Sequence, residues 1–103
     1  MLLENMTMAE FKRHLKKTRS IIFPYGTVEE HGNHLPLNTD TLIIYEALKR
    51  VIQKRKVFLA PPVYYGVCTS TDRHPGTISI TPETLRRITI DIVKNSYRKG
   101  LRK

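Results

Sequence analysis

The sequence predicts an α/β fold with a mainly parallel sheet, formed as a single domain by a chain of 103 residues. Short apolar, β-branched runs at residues 19–24 and 57–60 are typical of buried strands. Two longer segments whose apolar residues recur with helical spacing follow these runs. Strands and helices that alternate in this order are typical of layered parallel sheets. A chain of this length can bury one modest core, so we expect one domain.

The first helix and the first strand have clear local signals. Thr7 and Glu10 fit a capping box, in which the hydroxyl and the carboxylate bind free amides at a helix start, and this predicts a helix from about residue 8 to about residue 17. The apolar run at 19–24 then ends in Pro24, as expected for a buried strand that leads into a loop.

The second helix is expected to begin at Asp40. Aspartate is a favoured N-cap residue, so local sequence alone favours a capping role for this side chain. A broad apolar face follows with helical spacing and is expected to be buried: Leu42, Ile43, Ala47, Leu48, Val51 and Ile52.

The second half of the chain predicts a strand at 57–60, a polar loop at 67–76, a short strand at 77–80 and a last helix. Thr81 is expected to cap this helix, Pro82 to take its first position and Gly100 to end it. Its expected buried face is formed by Leu85, Ile88, Ile92 and Val93.

Residues 24–40 are rich in carboxylates and imidazoles and too interrupted by Gly and Pro for a regular helix. Glu29, His31 and Asp40, with His34 nearby, carry the oxygen and nitrogen donors that Zn²⁺, Mn²⁺ or Fe²⁺ prefer. The loop follows the carboxyl end of a predicted strand, where open α/β sheets place their ligand sites. A metal site is therefore expected here, although a short Glu-x-His motif alone is a frequent accident.

The whole stretch from Pro24 to Asp40 resembles the signature of the creatininase family, approximately P-x-G-[ST]-x-E-[QE]-H-G-x-H-L-P-L-x-[TV]-D. A second, weaker likeness runs from Tyr65 to Leu85, so the similarity spans most of residues 7–100. The resemblance implies a layered α/β/α fold of which this chain holds the N-terminal portion. It also implies that Glu29 binds one metal, His31 binds the other and Asp40 bridges the two, with Zn²⁺ and/or Mn²⁺ as the ions and Fe²⁺ also compatible.

Three further residues are candidates for contacts around the metals or with substrate: His34, Glu30 and His74. Each also has a plainer interpretation. His34 could bind a loop carbonyl, Glu30 is expected to point away from its ligand neighbours, and His74 is typical of an exposed loop histidine. The sequence identifies no catalytic acid or base.

The resemblance implies a metal-dependent amidohydrolase that cleaves a non-peptide C–N bond of a small cyclic or linear amide. Family members are longer, and a further metal ligand follows the position of Gly100 in them, so a truncated domain at residues 1–103 is expected. The alternative is a catalytically inactive or split-gene fragment that binds metal or a complementary polypeptide. Whether this chain is an enzyme stays open at this point.

Net charge and cysteine content limit the classes of partner and the compartment that we expect. The net charge of +9 and a pI near 10 could indicate a small basic nucleic-acid-binding protein, but the cations are spread over predicted helix surfaces, so this class is not favoured. The single cysteine, Cys68, permits no intrachain disulfide and is expected to be a buried apolar residue, which favours the cytoplasm. No apolar run reaches the roughly 20 residues of a membrane helix. We expect a homo-oligomer or association with a complementary polypeptide.

Overall fold

The computed structural model describes residues 1–102 and contains a small parallel sheet with three α-helices. Ile21 lies opposite Phe58, and Ile22 opposite Leu59, so the two strands run parallel. In chain order the elements are a 3₁₀ helix at Leu3–Asn5, α1 at Met8–Leu15, β1 at Ile21–Ile22, α2 at Thr39–Lys54, β2 at Phe58–Leu59 and α3 at Pro82–Arg98. The predicted α/β class is confirmed, and α2 forms the connection between the parallel strands.

Further backbone segments lie beside the two strands and extend them. Leu2 forms a parallel bridge with Leu59. The amide of Arg102 donates to the carbonyl of Arg19 at 2.9 Å. Beyond the strands, Tyr25 forms a parallel bridge with Val63. The extended backbone is therefore broader than the two short strands, and the loop after β1 starts from a fixed point beside residues 60–63.

The hydrophobic core is centred on β2. Phe58 and Leu59 have no exposed surface, and the ring of Phe11 packs on that of Phe58 with 5.3 Å between their centroids. The buried apolar residues are Val57, Phe58, Leu59, Ala60, Cys68 and Leu101. The prediction that Cys68 is a buried apolar residue is confirmed.

The helix ends follow local sequence closely. Thr7 and Glu10 form the predicted capping box, and the Thr81 hydroxyl accepts from the amide of Thr84 at 3.2 Å. Pro82 is the first residue of α3, as predicted. Gly100 adopts a φ of +103° just after the helix, a conformation that glycine reaches without steric cost. The first helix ends at Leu15, slightly earlier than predicted.

The prediction that Asp40 caps the second helix is wrong. The helix begins at Thr39, and Asn38 occupies the flanking position without a side-chain capping bond. A turn sets this start, because both the amide and the hydroxyl of Thr39 donate to the carbonyl of Pro36, at 3.1 and 2.5 Å. Asp40 thus lies inside the first turn, where its side chain is available for other contacts.

The predicted strand at 77–80 is absent from the described chain. The amide of Ile78 donates to the carbonyl of Val28, and that of Ile80 donates to the carbonyl of Gly66. The segment is tied to two different partners by single bonds, so no continuous ladder forms. It still fixes the loop at residues 67–76 close to residues 24–38, which we call the signature loop.

The predicted burial of the two long apolar helix faces is also wrong for this structure. The buried residues of α2 are Thr39 and Thr41, and α3 has none among the described residues. Ile43 is 66% exposed and Val93 is 47% exposed. Both helices therefore present apolar surface to solvent. Within residues 1–102, no helix combines the length and the apolar character needed to cross a membrane.

Candidate metal centre

The signature loop is pressed against the first turn of α2. The amide of Gly26 donates to the carbonyl of Val63, and the amide of Glu29 donates to the carbonyl of Leu37, each at 2.9 Å. A Cβ atom on Gly26 would lie 1.9 Å from the hydroxyl oxygen of Thr41. Only glycine permits this approach, which brings the start of the loop next to the first turn of α2 and its acidic residue Asp40.

The three predicted metal ligands lie together in this loop and helix turn. The Thr27 hydroxyl lies 2.9 Å from Glu29 Oε1 and 2.7 Å from Asp40 Oδ2. His31 Nε2 lies 3.2 Å from the other Asp40 oxygen, Oδ1. Glu29, Thr27, Asp40 and His31 thus form one hydrogen-bonded line, which we call the acidic cluster.

Two threonines that the sequence analysis does not select contact these carboxylates: Thr27 within the acidic cluster and Thr71 beside it. Thr71 donates its hydroxyl hydrogen to Glu29 Oε2 at 2.5 Å from a loop 42 residues further along the chain. The sequence contains weak evidence for a role of Thr27, because this residue occupies the Ser/Thr position of the signature. It contains none for Thr71, since nothing in a polar loop indicates which distant carboxylate a threonine will contact.

The electrostatics of Asp40 and His31 reflect these contacts. The hydrogen bond from Thr27 is the main cause that lowers the pKa of Asp40, helped by Glu29 and His31 and opposed by partial burial. The hydrogen bond to the backbone carbonyl of Glu29 is the main cause that raises the pKa of His31, and Asp40 acts in the same direction. The pair therefore favours an ionised carboxylate beside a protonated imidazole.

Both ring nitrogens of His31 face acceptors. Nδ1 lies 3.0 Å from the carbonyl oxygen of Glu29, and Nε2 faces the Asp40 carboxylate. The carbonyl can only accept, so Nδ1 carries a hydrogen in this arrangement. A backbone carbonyl that accepts from Nδ1–H is one of the ways in which proteins orient a histidine for metal binding through Nε2. Loss of the Nε2 proton would make that nitrogen a ligand.

The acidic cluster places its possible metal ligands next to each other in two pairs, Glu29 with Asp40 and Asp40 with His31. Within residues 1–102, no three His, Cys, Asp or Glu side chains form a group that could hold one metal ion. Asp40 has one oxygen toward His31 and the other toward the hydroxyl that also touches Glu29. The donor types, carboxylate oxygen and imidazole nitrogen, fit Zn²⁺ or Mn²⁺.

The other three candidate residues lie outside the hydrogen-bonded line. Glu30 Oε2 accepts from the amide of Gly32 at 2.9 Å, so its side chain stabilises the loop backbone. His34 and His74 are both exposed. His74 lies in a turn whose backbone is bound to Thr71 and Thr77.

Cys68 lies near the acidic cluster without the properties of a nucleophile. Its side chain is 3% exposed. Burial raises the pKa of the thiol, and the negative charges of Glu29, Asp40 and Asp72 raise it further. A thiol held in its protonated form is a poor nucleophile and a poor metal ligand.

Comparison with known proteins decides the family. The sequence profile of the Creatininase family, described as creatinine amidohydrolase, matches residues 4–103. The chain belongs to the creatininase family. This match confirms the family that residues 24–40 resemble and extends the similarity to nearly the whole chain.

Curated members of the creatininase family share sequence with this chain but carry different names. A mycofactocin precursor peptide peptidase from Mycolicibacterium smegmatis is 35% identical over 77 residues, 69% of this chain and 31% of its own length. A 3-dehydro-scyllo-inosose hydrolase from Thermotoga maritima is 28% identical over 97% of this chain and 32% of its own length. The creatinine amidohydrolase of Pseudomonas putida is 30% identical over 81% of this chain and 34% of its own length. The chain thus spans about a third of the length of these relatives.

Solved creatininase structures have the same fold. A creatinine amidohydrolase superposes with a TM-score of 0.94 at 25% identity, over 99% of this chain and 42% of that one. A structure named Creatininase Mn gives 0.94 at 26% identity over the same shares of the two chains. A mutant creatininase described as the Zn-Zn type gives 0.92 at 26% identity, over 96% of this chain and 41% of that one. The chain therefore has the α/β fold of about two fifths of the creatininase structure.

Proposed function

We propose that this creatininase-family chain takes part in the metal-dependent hydrolysis of a non-peptide C–N bond in a small cyclic or linear amide. The observation that carries the proposal is the acidic cluster, which joins Glu29, Asp40 and His31 through the hydroxyl of Thr27. The names of two solved neighbours, a Mn form and a Zn-Zn type, support Mn²⁺ or Zn²⁺ as the metal.

The pairing within the acidic cluster supports a site for two ions. Glu29 and Asp40 would hold one divalent ion, and His31 and Asp40 would hold the other, so Asp40 would belong to both. Divalent metals in hydrolases lower the pKa of water and polarise carbonyl oxygens. The chain's own residues supply negative charge and a fixed imidazole orientation, and Nδ1–H remains bound to the carbonyl of Glu29.

The proposed substrate class is broad because the relatives' names are broad. They include a creatinine amidohydrolase, a peptide peptidase and an inosose hydrolase. The first two names describe cleavage of amide-type bonds, which is why a small amide is proposed here.

A second candidate function is supported by the exposed apolar helix faces. Ile43 of α2 is 66% exposed and Val93 of α3 is 47% exposed, and the chain spans about a third of the length of its curated relatives. A polypeptide that corresponds to the part of a creatininase this chain does not cover would bury such faces and add ligands to the metal pairs. In this alternative the chain binds metal and a complementary polypeptide, or a second copy of itself, without hydrolysing amides alone.

The test is hydrolysis of creatinine and a panel of small amides with Mn²⁺ or Zn²⁺, by the chain mixed with such a complementary polypeptide. We expect turnover that is lost on chelation and in Glu29→Gln. The matched control is Glu83→Gln, an exposed glutamate on α3 that binds Arg86 and should leave turnover unchanged. The chain alone should turn over more slowly, because pairs of ligands hold metals weakly. Hydrolysis that survives both chelation and Glu29→Gln would refute the proposal.

A further inference from the structure

We infer that Thr27 is the positioning residue of the acidic cluster, and that its hydroxyl holds the Glu29 and Asp40 carboxylates at the separation from which they take a divalent cation. The inference rests on the proposed metal-binding function and concerns a residue outside the predicted ligand set. Thr27 itself is not proposed as a ligand. It acts through the two carboxylates that it touches.

The first observation is a shortage of hydrogens around the two carboxylates. Thr27 contacts one oxygen of each, at 2.9 and 2.7 Å, but a hydroxyl has a single hydrogen and donates to one acceptor at a time. Thr71 supplies a hydrogen to Glu29 Oε2, and His31 Nε2 lies 3.2 Å from Asp40 Oδ1. Thr27, Thr71 and His31 together offer at most three hydrogens to four carboxylate oxygens. One of the two oxygens that Thr27 contacts therefore faces a lone pair of its hydroxyl, and a cation between the two carboxylates would offset that repulsion.

The second observation is that the Thr27 side chain is itself held in place. A Cβ atom on Gly66 would lie 3.0 Å from the methyl carbon of Thr27 and 2.8 Å from the carbonyl oxygen of Gly26. The methyl group therefore packs against the backbone of Gly66. A β-branched side chain has few rotamers, so this contact also fixes the direction of the hydroxyl.

The remaining contacts leave little freedom to either carboxylate. Glu29 is held at one oxygen by Thr71 and at the other by Thr27, and Asp40 is held by His31 and Thr27. Thr27 is the only member of this set that touches both carboxylates among the described contacts. Without its hydroxyl, Thr71 and His31 would each still contact one carboxylate, but no side chain would link the two, and they would move apart when no metal is bound.

The experiment compares Mn²⁺ affinity by calorimetric titration in the parent chain, Thr27→Ser and Thr27→Ala. These two variants differ only by the hydroxyl. We expect Thr27→Ala to lose about 10- to 100-fold in affinity, the usual effect of removing a group that orients metal ligands, and Thr27→Ser to retain most of the affinity. The matched control is Thr69→Ala, an exposed threonine in the same loop as Thr71, which should bind Mn²⁺ like the parent.

Each outcome decides a separate question. Equal affinity of Thr27→Ala and the parent would overturn the positioning role while leaving the metal site intact. Equal losses in the serine and alanine variants would also overturn it, because the methyl contact and not the hydroxyl would then be responsible. No Mn²⁺ or Zn²⁺ binding by the folded parent would refute the proposed function itself. Thermal unfolding of each variant in chelator, where serine and alanine should unfold at similar temperatures, separates loss of affinity from loss of fold.

Discussion

At the scale of single residues, two threonines on the first turn of α2 show how differently a buried hydroxyl can be used. Thr39 is 8% exposed and donates to the carbonyl of Pro36 at 2.5 Å. Thr41 is 2% exposed, and its hydroxyl has no hydrogen-bond partner among the described residues. Its oxygen instead fills the space beside Gly26. A buried polar group without a partner costs free energy, so the two residues should respond oppositely to loss of the hydroxyl.

We predict that Thr41→Val raises the free energy of unfolding by about 1 kcal/mol, because valine keeps the shape and removes an unsatisfied hydroxyl. Thr39→Val should lower the free energy of unfolding by about the same amount, because it leaves the Pro36 carbonyl without its hydroxyl donor. Urea unfolding of the two variants against the parent measures both values. Destabilisation by Thr41→Val that equals or exceeds that of Thr39→Val would contradict this account.

The candidate site could be predicted from sequence only as far as residue types allow. Glu29, His31 and Asp40 can be predicted as ligands because their donor atoms suit divalent metals and because they occur in one long signature. Thr71 could not be found, since its bond to Glu29 depends on how two distant loops pack. The capping role of Asp40 was wrong because the turn at Pro36 starts the helix one residue earlier.

At the scale of secondary-structure elements, two helix starts that depend on neighbouring residues are confirmed, and the strand predicted at 77–80, which depends on distant partners, is absent. The capping box at Thr7 and the start of α3 at Thr81 and Pro82 involve residues three apart or fewer, and both are present. The segment at 77–80 has strand-like residues, but a strand needs one neighbour that offers consecutive bonds. Val28 and Gly66 belong to different segments and offer one bond each.

The capping box leads to a prediction about pH. The backbone and side-chain hydrogen bonds from Thr7 lower the pKa of Glu10 below its usual 4.5. A carboxyl whose pKa is lowered on folding stabilises the folded state above its unfolded pKa, and this contribution is lost as the pH falls through the lowered value. The capping box should therefore contribute fully at pH 7 and progressively less below about pH 4.5.

The measurement is urea unfolding of the parent and Glu10→Gln across this range of pH. The parent should be more stable than the variant at pH 7, and the difference should shrink as the pH falls below 4.5. Glu4→Gln is a control on a nearby glutamate that lies outside the capping box. A difference between parent and Glu10→Gln that stays constant from pH 7 to pH 3 would show that the bond to Thr7 contributes nothing measurable.

At the scale of the whole molecule, the dominant feature is apolar helix surface that this chain does not cover. The exposed residues include Leu42, Ile43, Ile44 and Val51 on α2 and Ile88, Val93 and Tyr97 on α3. Helical spacing predicts burial for all of these except Ile44 and Tyr97, and that prediction is wrong because the described chain places only a small core around β2. Contiguous exposed apolar surface is typical of interaction sites. We therefore expect these faces to be covered by another copy or by a complementary polypeptide.

We predict that the purified chain forms assemblies larger than a monomer and that Ile43→Glu and Val93→Glu shift it toward the monomer, because a charge at a buried contact is costly. Light scattering after size-exclusion chromatography gives the mass over a range of concentrations. Gln53→Glu adds the same charge at an exposed polar position of α2 and should leave the mass unchanged. A monomer at all concentrations for the parent would contradict the prediction.

The central claim, that the acidic cluster binds a divalent metal, is tested most directly by metal content. Parent chain, His31→Ala and His14→Ala are each equilibrated with Mn²⁺ or Zn²⁺, freed of loosely held ions, and analysed for metal per chain. His31→Ala removes the imidazole that lies 3.2 Å from Asp40. His14→Ala is the control, because it also removes one histidine, but from α1. We predict metal in the parent and in His14→Ala and a marked loss in His31→Ala. Equal metal content in His31→Ala and the parent would contradict the account.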